Sequence, residues 1–231
     1  MEFLNTNNIG GQGYGFILYK TKFDKADKLK ITGAIQDRAH VIVNGRLAKT
    51  IYHEDKVDTT ISLSDLKSTG NGHEIIVENM GRVNYQHLKN QRKGFQGEVS
   101  ADEQKLTKWE HVSLEFCDKF VDAVRESKDW MASKSGTGTN QTIPTLYRGY
   151  FEVDKAEDTF IDMTSWKKGI VLINGYNLGR YWRVGPQQTL YIPNPLLKKG
   201  KNEVIVFELE EPASGLQAKF VENQVLDSVQ K

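Results

Sequence analysis

The chain has 231 residues and a net charge of +1, with 31 basic and 30 acidic side chains mixed along its length. That balance leaves no basic stripe for nucleic acid, and no apolar run approaches the roughly 20 residues a membrane helix needs. A single cysteine, Cys117, excludes an internal disulfide and a cysteine-based zinc site. The five histidines, at 40, 53, 73, 87 and 111, have no ligand spacing, so no metal or cofactor is expected. The residues after Met1 lack the basic-then-apolar layout of a signal peptide, and the compartment stays open.

Strand signals dominate in chain order. Tyr14–Thr21 is aromatic and β-branched, and Leu29-Lys30-Ile31 alternates. Ala39–Val43 runs into Asn44-Gly45, the dipeptide that best tolerates φ > 0 at both central residues of a tight hairpin, with Leu47–Ile51 as the returning arm. Asp58–Leu63 alternates, and Glu74–Glu78 reads as a buried strand after the Asn71-Gly72 turn. Trp109–Phe116 is expected to open a second domain. Between Cys117 and Met131, Phe120, Val121, Val124 and Met131 suit one face of a short helix, and Ser133–Thr142 reads as a loop. Strands then resume from Leu146 to Leu209. Turn chemistry every 8–12 residues predicts β-sandwiches.

One phrase occurs twice. Val41-Ile42-Val43-Asn44-Gly45 recurs about 130 residues later as Val171-Leu172-Ile173-Asn174-Gly175. About thirty residues after each copy comes a second matching run, Gly72–Glu78 and then Gly200–Glu208. A period this long means tandem domains, because solenoids repeat at roughly 20–50 residues. The expectation is an all-β chain, two tandem sandwiches with one helical excursion: a first domain over 10–107 and a second over 108–231.

No catalytic constellation stands out. Glycosidases normally place two carboxylates about 5 Å apart (retaining) or 6.5–9.5 Å apart (inverting), and no acid here sits in such a context. Glu74 and Glu78 read as edge or turn residues, and Asp154, Glu157, Asp158 and Asp162 as solvated turns rather than a calcium loop. Gly10-Gly11-Gln12-Gly13 precedes a strand, not a helix, so it is no dinucleotide fingerprint. Asn140-Gln141-Thr142 is a glycosylation triplet of a kind that chance often produces. Trp109, Trp130, Trp166, Trp182, Tyr147, Tyr150, Tyr176 and Tyr181 could stack on sugars, but alternating strand positions send about half of them into the core. Asn79–Tyr85 follows a strand directly and gathers a cation, an amide and a phenol in one loop, where functional groups tend to sit. Arg82 there suits fastening the loop through carbonyls or a carboxylate.

Several runs resemble the C-terminal β-domains of glycoside hydrolase family 35, the β-galactosidases. They are Gln12–Tyr19, Asp37-Arg38-Ala39, Val77–Tyr85 and Asn90–Gly94, then Asn174–Trp182 and Gly185–Pro193. They keep the family's order from about residue 10 to 210. The resemblance implies two jelly-roll, galactose-binding-like sandwiches. It implies a parent enzyme that hydrolyses terminal β-galactosyl residues with two glutamates on a TIM barrel. A barrel takes roughly 250 residues, which this sequence cannot hold, so no catalytic residue transfers and the chain alone is expected to be inactive. By the same resemblance Tyr85 is substrate-binding, with Arg82 and Asn84 supporting its loop. The implied partners are the parent's catalytic barrel and a galactoside, with no nucleic acid and no membrane. The alternative is a stand-alone galactoside-binding module.

Overall fold

The computed structural model describes residues 1–4, 11–23, 25–52, 54–66, 72–85, 91–131, 143–210 and 216–226. These form two compact units, Met1–Glu115 and Phe116–Lys231. The predicted loop at 133–142, with its glycosylation triplet, lies outside the described residues, as do His53 and His87.

The first unit is built from β1 (Phe16–Lys22), β2 (Lys28–Gln36), β3 (Arg38–Val43), β4 (Arg46–Ile51), β5 (Glu54–Ser62), β6 (Gly72–Glu78), β7 (Gly94–Ala101), β8 (Gln104–Lys105) and β9 (Glu110–Leu114). One antiparallel sheet has the order β4-β3-β6-β1-β9 and the other β5-β2-β7-β8. Alternate residues of the first sheet, among them Ile17, Tyr19, Val41, Val43, Ile75 and Val77, face Leu29, Ile31, Ile35, Val57, Ile61 and Val99 of the second in one buried cluster. This is the β-sandwich that the period-2 pattern predicts.

The second unit opens with α1 (Asp118–Glu126) and continues through β10 (Thr145–Val153), β11 (Thr159–Asp162), β12 (Lys168–Ile173), β13 (Tyr176–Trp182), β14 (Thr189–Ile192), β15 (Gly200–Glu208) and β16 (Lys219–Val221). Its sheets run β10-β15-β12-β13 and β14-β11-β16, and Val171, Ile173, Val204 and Val206 meet Ile161, Leu190 and Ile192 in its core. The helix seats on this unit's own sheet. Phe116 stacks on Phe207 and Phe120, both at 4.9 Å, Val121 is buried, and Arg125 Nε donates to Glu203 Oε2 at 2.7 Å.

The repeat is structural as well as textual. Asn44 and Gly45 have φ of 52° and 75°, and Asn174 and Gly175 have 49° and 87°, so each hairpin closes through two residues with positive φ. Both hairpins carry a bulge at the same step, Val41/Ile42 and Val171/Leu172. The Asn44 side chain accepts Gly72 N at 3.1 Å and donates to Leu66 O at 3.3 Å. The Asn174 side chain likewise accepts Glu203 N at 2.9 Å and donates to Leu196 O at 2.8 Å. These bonds align Gly72 with Glu203, so β15 carries extra residues at its start that β6 lacks.

Three local expectations change. Residues 110–114 pair with β1 in the first unit rather than opening the second, because an alternating strand does not encode which sheet it joins. The helix ends at Glu126, where Ser127 turns extended, leaving Met131 fully outside it at 90% exposure. Glu78 is neither edge nor turn: it lies 3% exposed on central strand β6, in register with Arg38.

His73 is fully buried on β6, between the rings of Phe23 (6.2 Å) and Trp109 (5.7 Å). Neither ring nitrogen has a hydrogen-bond partner among the described residues. The equivalent register position in the second unit is Val204: His73 pairs with Val43 of β3, and Val204 with Ile173 of β12. Burial pushes the imidazole down from 6.5 to about 4. The unfolded chain therefore binds the proton more tightly between those values, and stability is complete above the higher one and lost as pH falls toward the lower. Thermal and urea melts should show the first unit losing about 2 kcal/mol between pH 7 and 5 from this group. The variant His73→Val should remove that loss; identical pH profiles for the two proteins would contradict the assignment.

Candidate functional site

The segment after β6 leaves the sheet through an asparagine turn. Asn79 is 3% exposed, and its side-chain oxygen accepts Gly81 N at 3.0 Å, while Gly81 takes a φ of 114° that favours glycine. Asn79 Nδ2 donates to Gly13 O at 2.9 Å and Asn79 N donates to Gly15 O at 3.1 Å. The turn is thus tied to the segment that enters β1.

A polar network fastens the next residues. Arg82 donates to Gly13 O at 3.2 Å and to Glu2 Oε1 at 2.6 Å. The Glu2 carboxylate also accepts Lys93 N, at 3.0 Å to each oxygen. Lys93 Nζ reaches both oxygens of Asp37 at 2.6 and 2.7 Å, and Asp37 Oδ2 accepts Met80 N at 2.7 Å. Val83 N donates to Gln91 Oε1 at 2.8 Å. Burial pushes the Glu2 carboxyl up, but bonds from its own backbone N–H, from Lys93 N and from Arg82 outweigh this and hold it below the usual range. Gly94 fixes the start of β7 beside Lys93: at a φ of 111°, a Cβ there would meet the Tyr19 hydroxyl at 2.5 Å.

What the network presents is apolar and phenolic. Tyr85 is 76% exposed, Val83 53% and Phe3 78%, with the Arg92 guanidinium 4.7 Å from the Phe3 ring. Asn84 is also exposed. Residues 80–82 are therefore held, while beyond them a phenol able to stack, donate and accept stands in solvent. The carboxylates of this network, Asp37 and Glu2, are committed to cations and backbone N–H groups. Neither is arranged as an acid or nucleophile.

Of the residues singled out from sequence, Arg82, Asn84 and Tyr85 all stand on this loop, with Arg82 at its fastening and Asn84 and Tyr85 exposed beyond it. Sequence reasoning passed over Asn79, Asp37 and Lys93, although all three stand inside the runs quoted above. Their signal is charge or amide within otherwise buried stretches, and their partners lie 43 to 66 residues away.

The aromatics of the second unit divide as alternation implies. Trp166 and Tyr181 are buried, and Tyr147 packs on the core. Tyr150 is exposed, but Arg148 and Lys201 lie against its ring at 5.5 and 3.9 Å. Tyr176 is exposed. Tyr181 donates to Glu208 Oε2 at 3.1 Å; burial raises that carboxyl although Lys167, Lys168 and Glu210 also donate to it. Among the described residues, no three His, Cys, Asp or Glu side chains converge as a metal site. Asp158 instead accepts Tyr191 OH at 2.6 Å and Asn194 N at 2.8 Å.

The duplicated sandwich defines the class: a tandem pair of all-β domains. Residues 6–115 match the family model of the β-galactosidase first all-β domain, and residues 144–202 that of the β-galactosidase galactose-binding domain. Each unit thus resembles a β-domain of the β-galactosidases, the first along nearly its whole length. It is 37% identical over 227 residues to human beta-galactosidase-1-like protein 2, covering 96% of this chain and 33% of that protein. It is 35% identical to beta-galactosidase of Macaca fascicularis (95% of this chain, 35% of that protein). It is also 35% identical to beta-galactosidase 17 of Arabidopsis thaliana (93% and 34%). The chain spans about a third of the length of the curated relatives it matches.

The geometry separates fastening from presentation, and mutation should do the same. Asn79→Ala removes a buried amide from two backbone partners and should cost about 1–2 kcal/mol in urea unfolding of the first unit. Tyr85→Ala, at an exposed position, should stay within about 0.5 kcal/mol. Equal losses for the two variants would mean that Tyr85 is itself a packing residue.

Proposed function

We propose that this chain is the non-catalytic β-sandwich part of a family 35 β-galactosidase, which supports a catalytic barrel and walls its substrate site through Tyr85. The observation that carries this reading is the loop itself: four segments of the first unit, at residues 2, 13–15, 37 and 91–93, converge to hold it, yet Tyr85 stands 76% exposed. Exposed apolar groups on a rigid support are characteristic of interaction surfaces. The relatives are about three times as long as the region matched, which leaves room for the barrel that the reading requires. In the intact enzyme the barrel's two carboxylates would do the chemistry, and Tyr85 would orient the terminal galactosyl ring.

Purified alone, the chain should not turn over a chromogenic β-galactoside. Joined to or mixed with the barrel portion of a relative such as the macaque enzyme, it should support hydrolysis, and Tyr85→Ala should raise KM about tenfold. That factor corresponds to the loss of one stacked or hydrogen-bonded contact of about 1.4 kcal/mol. Turnover by the chain alone that vanishes on mutating one of its own acids would sink the reading, as would an unchanged KM.

A second reading is favoured by one observation, the match of residues 144–202 to a galactose-binding domain model. Under it the chain binds galactosides without a barrel. Titrating galactose and lactose against tryptophan fluorescence should then give saturation at millimolar sugar; a flat response rejects it.

A further inference from the structure

We propose that Asp37 and Lys93 are positioning residues that set where the Tyr85 loop stands, an inference that rests on the role given to Tyr85 above. The two side chains form an ion pair at 2.6 Å and are only 13% and 5% exposed. A pair this buried seldom stabilises a fold more than apolar residues of the same size would, because desolvation offsets the attraction. Its value lies in what else the two residues hold. Asp37 Oδ2 receives Met80 N, at the start of the loop. The backbone N–H of Lys93 is bound by Glu2, whose carboxylate also receives Arg82 two residues further on. Lys93 therefore governs both ends of the 80–82 segment, one through its side chain and one through its main chain.

The second unit serves as an internal control. Register places Lys168 where the first unit has Arg38, since Gly169 and Ala39 occupy matching positions opposite Glu208 and Val77. Lys167 therefore stands where the first unit has Asp37. The same sandwich closes without a carboxylate at that position, so the fold does not require one. The strand end next to Lys93 is rigid in turn, because Phe95 N donates to the Tyr19 hydroxyl at 3.0 Å beside the tightly packed Gly94. The clamp is thus anchored to the sandwich core at one side and to the loop at the other.

Amide hydrogen exchange on the full chain tests this. In Lys93→Met, amides from Met80 to Tyr85 should exchange roughly ten to a hundred times faster, the factor expected for losing a charge-assisted bond. Amides of β3 and β6 should keep most of their protection, and Lys93→Arg should restore much of the loop's. Should Lys93→Met fail to fold, Asp37→Asn replaces it: that variant keeps an acceptor for Met80 N and removes the charge. Unchanged loop exchange in both variants overturns the clamp, and so does uniform loosening of the whole first unit. A separate arm, KM for a galactoside in the barrel-supported assay, isolates the functional premise. A loosened loop with raised KM supports the positioning role, whereas a loosened loop with unchanged KM leaves the clamp standing and removes Tyr85 from the site.

Discussion

In each sandwich one asparagine side chain joins the central hairpin to the strand beside it, and the rest of the architecture follows from that register. Asn44 and Asn174 sit at positive φ, close the turn, and bond the neighbouring strand and a short 3-10 turn with the two ends of one amide. A slip of one residue between β3 and β6 would reverse every side chain between core and outer face. With the register fixed at the Asn44 end, the far ends of the same strands must place Asp37 and Arg38 beside Glu78 and Met80. The loop that carries Tyr85 begins there, so a turn at one end of the sheet determines the site at the other.

The two units share this frame and differ in how they use it. The first has a polar network of Glu2, Asp37, Arg82 and Lys93 at the strand ends, tied into the segment after β6. The second uses its charges to hold its own helix: Glu203 joins Arg125 of α1 to Arg148 of β10, and Arg148 lies 5.3 Å from the Trp130 ring. Duplication thus gave two similar cores, one fitted with a presented loop and the other with a covering helix. Even the cores diverge in one informative place, where His73 stands in the position that Val204 fills.

Much of this was legible in the sequence because it is local. The Asn-Gly turns, the repeated strand phrase and the amphipathic run from Cys117 to Met131 are short-range patterns; the turns and strands appear where the spacing put them, and the helix forms there but stops at Glu126. Long-range pairing is what the sequence does not carry. Nothing in residues 110–114 says that they complete the sheet of β1, and an alternating strand fits either unit. Glu78 looks like a surface acid until Arg38 is seen across the ladder. The loop at 79–85 and the fastening part of Arg82 were recognisable by composition, whereas the partners that fasten it were not, because Asp37, Lys93 and Glu2 approach it from remote parts of the chain. His73 gave a faint signal: a polar residue in phase with Ile75 and Val77, which face the core.

The central claim is that the chemistry resides in a partner and that this chain meets it through the face bearing Tyr85. Amide-exchange footprinting of the chain, with and without a relative's catalytic barrel and without any sugar present, tests that directly. The account predicts new protection concentrated at residues 2–3 and 79–85. Protection confined to the second unit, or no difference between the two states, would contradict it.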